Sequence, residues 1–475
     1  PRGDDARRPA PRYAAAQDGT DGGPMIDRAT IAAMRFGYGL PLPEGAPVDP
    51  AAMIERLAGP DLAARDWPGL TLDALMPGLR EAEAARVVAR RDAAGRPAYR
   101  AALRARVREQ LGQRRTTLAR ALGSPDGFRE RLVAFWADHF TTTARVGRQR
   151  TLPLALVEDA IRPQVAGRFA AMLEAVTLHP AMLLYLDQSR SVGPNSPAGL
   201  RRGRGLNENL GRELLELHTL GVDADYGQED VRQMAELLTG LRFDTDEGTV
   251  FFPAAAEPGP ETVLGRAYAG DDLGAIRRAL ADLAVHPATA RHLTRKLAVH
   301  FVGDAPDPGL AAAMERAWTD TGGDLRAVCA AMLGHPAAWD GPLTKARQPW
   351  DLVVAGLRAL GVGPDRVLRF SGGAFNRLVG KPLAEMGQPL QEAPGPDGWP
   401  EADAAWITPE RLAARITWAM TAPDRLLEAL PDPVALAEAG LGPLAGEALR
   451  VAVSRAEDRR VGVGLLLASP AFNRR

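Results

Sequence analysis

The stretch NENLGRELLELHTLGV, Asn207–Val222, decides how this chain is read, because it sets three glutamates, an arginine and a histidine among leucines at helical spacing. At about 100° per residue on a helix, Glu208, Asn209, Arg212, Glu213, Glu216 and Thr219 crowd into an arc of about 140°. Leu210, Leu214, Leu215 and Leu217 take the opposite side, and His218 falls among them. A zinc-protease helix needs its ligands one turn apart on a single face. Glu213 and His218 are five residues apart and Glu216 and His218 two apart, so neither pair fits that geometry. The remaining group is a ladder, Glu208, Arg212 and Glu216, in which the arginine can hold both carboxylates. Facing water, it is an ion-pair network; facing a cleft, it supplies a base or a ligand for a hard cation. Asn209 and Gly211 are poor helix formers that a plain wet face has no use for.

The preceding loop, VGPNSPAGLRRGRGLN, is glycine-rich and basic and feeds a helix N-terminus, where free N–H groups attract anions. Arg201, Arg202 and Arg204 are therefore candidates for a phosphate or carboxylate, or simply neutralise the acids nearby.

Elsewhere the 475-residue chain is mostly Ala, Leu and Arg at helical spacing, broken by Gly and Pro, which predicts a mainly α protein. The clearest strand signal is LRFDTDEGTVFF, Leu241–Phe252, read as a small β-hairpin. Residues 78–122 form an arginine-rich helical stretch, broken near Gly95 and Pro97 and read as a solvated projection from one large domain spanning 25–475. Residues 1–24 carry charges, prolines and glycines but no apolar core segment; they are read as a tail or N-terminal extension, not a secretion signal. On that basis the chain is expected in the cytoplasm, with export alongside a partner left open.

Net charge is -1, which gives no general pull toward nucleic acid or an anionic membrane. No apolar run approaches the roughly 20 residues that span a bilayer. The single cysteine, Cys329, excludes an internal disulfide and reads as a buried apolar residue.

Of the seven histidines, His179, His286 and His335 each precede a proline in LHPAM, VHPAT and GHPAA, the pattern of a helix start. His292, Lys296 and His300 share a helical face on which the ammonium opposes a metal ion. That leaves His218 and His139. The latter lies in RERLVAFWADHFTTT, where Leu132, Phe135, Trp136, His139 and Phe140 share one face and Asp138 points away. Two inward histidines are either satisfied core residues or the floor of a pocket.

Four segments, FWADHF, HPAMLLYLD, GLNENLGRELLELHTLGVDADYGQEDVRQMAELLTG and MGQPLQEAPGPDGWP, together resemble in order the bacterial family catalogued as domain of unknown function 1800 (DUF1800), along nearly the whole chain. The resemblance implies a mainly helical protein without an assigned activity, often found beside a second, sulfatase-like (DUF1501-type) family, a possible partner. It maps onto His139, the Asn207–His218 motif and a proline-rich loop carrying Gly387, Gln388, Gly398 and Trp399; Gly227 departs from the more usual Thr or Ser.

Two functions stay open. One is an enzyme or small-ligand binder with Glu208, Arg212, Glu213, Glu216, His139 and His218 as its chemical groups. Arg201, Arg202, Arg204, Asn207, Asn209 and Trp399 would be its ligand contacts, a divalent metal its possible cofactor, and hydrolysis the first choice of reaction. The other is a non-catalytic partner or scaffold for a sulfatase-like protein.

Overall fold

Helix starts fall where short polar side chains and prolines put them. Asp27 accepts the Thr30 N–H at 2.7 Å and Asp49 the Ala52 N–H at 3.0 Å. The three histidine–proline steps do the same work with imidazole. Nδ1 of His179, His286 and His335 accepts the N–H two residues on, at 3.1, 3.2 and 3.3 Å. Each satisfies an N–H that a helix start leaves unpaired, as the sequence predicts.

The structure is a computed structural model describing residues 26–475 except positions 145, 203, 204 and 271. The tail read over residues 1–24, Arg204 and the Arg202 side chain lie outside the described residues. The described chain is mainly α, as expected, and its strands form small antiparallel pairs.

Two helices, α1 (Leu72–Arg91) and α2 (Arg96–Gly123), make the arginine-rich hairpin. They are joined at Ala93–Gly95, where a Cβ on Gly95 would lie 2.8 Å from the Val88 side chain. Pro97 begins α2 rather than breaking it, since its missing N–H is not needed in a first turn. The hairpin is less solvated than its composition suggests. Arg106 and Arg120 are buried, paired with Glu109 and Glu158 at 2.6 Å each.

Helix α3 (Gly127–His139) follows. The motif of the opening stretch forms α4 (Asn209–Glu213), which widens into a π-helical turn over Leu214–His218 and packs on α5 (Gln228–Leu237). Gly211 is required by that packing: a Cβ there would lie 2.8 Å from the Ala235 nitrogen.

The predicted hairpin pairs β1 (Leu241–Asp244) with β2 (Gly248–Phe251). A second hairpin, β3 (Glu261–Val263) and β4 (Arg266–Tyr268), was not singled out from sequence. Its turn places both Leu264 (φ 51°) and Gly265 (φ 73°) in the left-handed region, as a two-residue hairpin turn demands. Helices α6 (Pro287–Phe301) and α7 (Pro349–Ala359) complete the frame used below.

The buried apolar side chains gather into two large clusters. One runs from Ile31 to Trp339, and the other joins the end of α2 to residues 352–472. Cys329 is buried and unpaired, its thiol pushed up to about 12 by burial. No helix among the described residues is long and apolar enough to cross a membrane.

Candidate functional site

The last turn of α3 sends two adjacent side chains in different directions. His139 enters the core, its ring 5.4 Å from that of Trp136 and 4.6 Å from that of Phe140. The π-helical turn brings His218 beside it, with ring centroids 6.0 Å apart. His139 Nε2 lies 3.3 Å from the His218 carbonyl and His292 Nδ1 lies 2.8 Å from the Thr219 carbonyl. A carbonyl only accepts, so both nitrogens carry hydrogen. His139 Nδ1 is then the acceptor for the Lys296 ammonium, 3.1 Å away.

Burial first, and the lysine charge second, keep this group uncharged. His139 is held well below the ordinary imidazole value, and His218 is pushed down to about 3. His218 Nε2 is buried with no hydrogen-bond partner among the described residues.

Lys296 is itself pushed down by burial, while Asp138, Glu401 and Asp397 act to keep it charged. Asp138 is the counterpart on the other side of α3. Burial first, with Glu401 and Asp397 adding to it, raises its carboxyl to about 7 against the Trp399 N–H and Lys296. Glu213 also reaches about 7, through burial, Glu216 and Asp397, with Arg212 opposing. Carboxyls of α3 and of the 397–401 segment thus act on one lysine, and Asp397 links them to Glu213.

The proline-rich loop reaches Asp138 by a specific backbone path. The Trp399 N–H donates to Asp138 Oδ1 at 2.9 Å. Gly398, at φ 78°, makes this possible, because a Cβ there would lie 2.5 Å from the Asp138 carbonyl oxygen. Gln388 anchors the loop's other end, accepting the Trp350 N–H at 2.7 Å and donating to Gln348 at 3.0 Å. Beyond the tryptophan, Glu401 accepts from His300 Nδ1 at 2.6 Å, and His300 Nε2 lies 3.0 Å from Arg131, which pairs with Asp351 at 2.6 Å. Burial works against the charged form of Glu401, yet His300, Lys345 and Arg475 hold it well below the usual carboxylate range.

Asp138 and Trp399 also line a half-open cavity of about 230 Å³ between α2, α3 and the loop.

The predicted residues are therefore divided. His139 and His218 pack together beside Lys296, Trp399 meets Asp138 through its backbone N–H, and Glu213 interacts with Asp397. The ladder exists as expected, Arg212 reaching Glu208 at 3.1 Å and Glu216 at 3.2 Å, and Gln228 closes it by bonding both Arg212 and Glu208. With side chains 27% to 35% exposed, the ladder forms a half-wet outer rim. Asn207 is a cap: its Oδ1 accepts the Asn209 N–H at 2.9 Å. Asn209 and Arg201 are exposed, and no hydrogen bond or ion pair joins either side chain to the cleft among the described residues. Asp230 accepts the Gly227 N–H at 2.9 Å and the Leu264 N–H at 2.7 Å, which replaces the side-chain cap that Gly227 lacks. Among the described residues no three His, Cys, Asp or Glu side chains are arranged to hold a metal ion.

Sequence reasoning does not single out Asp138, Lys296, Asp397 or Glu401 as site residues. Asp138 points away from His139, and on one helix that looks like pointing at water. Lys296, on a helical face with two histidines, reads from sequence as an obstacle to metal binding rather than as a group in its own right.

The fold and cleft describe a mainly helical protein with a carboxyl, lysine and histidine cluster under a tryptophan loop. The chain belongs to DUF1800, a family described as protein of unknown function, matched over residues 32–474. No curated protein and no solved structure matches it.

Proposed function

We propose that the protein is a small-molecule hydrolase working by acid/base chemistry at Asp138, Lys296 and Glu213. The observation that carries this reading is Asp138, a carboxyl at about 7 that lines the cavity and interacts with a lysine pushed down by burial; Glu213, also at about 7, shares its neighbour Asp397. Catalytic acids and bases work best when their pKa lies near the operating pH, and burial among like charges is the usual means of moving a carboxyl there. Asp138 would deliver or accept the proton at the reacting bond, and Glu213 would activate water. Lys296, oriented by neutral His139, would stabilise negative charge as it develops. The neutral imidazoles of His139, His218 and His292 are positioning groups, and the Glu208–Arg212–Glu216 rim holds the helix that presents Glu213.

A panel of p-nitrophenyl esters and phosphate esters, assayed from pH 5 to 9, tests the reading. Turnover with a bell-shaped profile, lost in Asp138→Asn, is expected. A panel hydrolysed equally well by Asp138→Asn would overturn it.

A second reading, a docking partner for a sulfatase-like protein, is favoured by Leu412 and Ile416, both exposed and one turn apart on the helix Pro409–Leu426. Co-purification with such a protein, lost in Ile416→Asp, would support it over the first.

A further inference from the structure

The cavity beside Asp138 is built for something larger than water. About 150 Å³ of apolar cavity accepts a benzene ring, and this one measures about 230 Å³. Val133, Ala134, Ala137 and Phe140 of α3 and its end form one wall, and Leu390 and Trp399 of the loop face them. Its charged lining is mostly neutralised from within: Arg120 pairs with Glu158 at 2.6 Å, Arg131 with Asp351 at 2.6 Å and Arg162 with Glu130 at 2.7 Å.

Arg114 of α2 differs from these three guanidinium groups. Its bonds go to neutral partners, Nε to the Gln391 side chain at 2.6 Å and Nη2 to the Leu390 carbonyl at 2.9 Å. Its Nη1 has no hydrogen-bond partner among the described residues, and no carboxylate lies within ion-pair distance. Burial acts against its charge and Glu392, beyond ion-pair distance, only partly offsets this, a cost that an anion in the cavity would reduce.

We propose that the cavity binds a carboxylate carrying a ring-sized apolar body, with the carboxylate on Arg114 and the ring between α3 and the Trp399 loop. Such a ligand would extend to Asp138, so the assignment of the ligand as substrate rests on the function proposed above, whereas the binding itself does not. A neutral analogue would fit the walls and leave Arg114 without an ion-pair partner; a cationic one would add a like charge.

The test uses the full chain and three probes, benzoate, benzamide and benzylamine, followed by isothermal titration and saturation-transfer NMR. Benzoate is expected to bind at least tenfold more tightly than benzamide, with benzylamine weakest. Arg114→Gln should erase the preference and Arg114→Lys should keep part of it. Ala134→Trp, which fills the cavity without touching the Arg114 contacts, should abolish binding of all three probes. Equal binding of benzoate and benzamide, failure of every probe to bind, or unchanged binding in Ala134→Trp overturns the proposal. Asp138→Asn separates the two ideas: benzoate bound normally by this variant, in a protein whose Asp138 titrates as an ordinary carboxyl, sinks the hydrolase reading and leaves the ligand class standing.

Discussion

Replacing Asp138 by Asn should change the protein's stability in a pH-dependent way whose sign and size follow from its surroundings. The carboxyl moves from its ordinary 3.8 in the open chain to about 7 in the folded protein, chiefly by burial. Below the lower value both states are protonated and the group has no effect. Between the two values the unfolded chain releases the proton and the folded one keeps it, so stability falls as pH rises, and above about 7 the penalty is constant. At 1.36 kcal/mol per unit, the full penalty is about 4 kcal/mol, of which about 2–3 kcal/mol develops between pH 5 and 8. Asparagine keeps an oxygen for the Trp399 N–H and cannot ionise, so the variant escapes this loss. The difference in unfolding free energy between Asp138→Asn and the parent, from urea titrations at pH 5 and pH 8, should therefore move by about 2–3 kcal/mol in favour of the variant. Glu213 titrates in both proteins and cancels in the difference. A difference that stays flat across this range would show that Asp138 ionises as an ordinary carboxyl and would refute the reasoning.

Further outcomes follow from the same geometry. Lys296→Met removes a charge that favours ionised Asp138, so the Asp138 resonance in carbon-13 NMR should titrate above its parent value; an unchanged midpoint would mean the two groups do not interact. Gly398→Ala places a methyl against the Asp138 backbone in a left-handed conformation and should cost about 1–3 kcal/mol, with faster proteolysis of the 388–399 loop; parental stability and protection would contradict the close approach. Arg212→Ala should cost less than about 1 kcal/mol, because a third-exposed ladder is screened by water; a loss several times larger would show that the rim is a structural core. Gly211→Ala, by contrast, should destabilise by about 1–3 kcal/mol through overpacking against α5, read by the urea midpoint, and a neutral result would argue against that contact.

The features legible in the sequence are those that neighbours along the chain determine. A proline after a histidine fixes a helix start and leaves the imidazole free to cap it, whatever lies beyond. Alternating β-prone residues around Asp-Glu-Gly specify the first hairpin. An apolar face one turn wide turns His139 and His218 inward, and a lone cysteine among alanines and leucines is buried. Even the salt-bridge ladder is an i, i+4 property of one helix. The helical projection was less secure where the helix itself changed, since the π-helical turn at Leu214–His218 departs from 100° per residue just before His218.

What only the tertiary structure decided is which groups face one another. Asp138 becomes a candidate acid because a loop 261 residues later folds back over it, held by the glycine backbone at Gly398. Lys296 gains its role from His139, 157 residues earlier, and from carboxylates on that same loop. A carboxyl's pKa depends on the dielectric and charges around it, which are properties of packing between distant segments. Spacing within one helix therefore gives the direction in which a side chain points, and the fold alone supplies the partners it meets there.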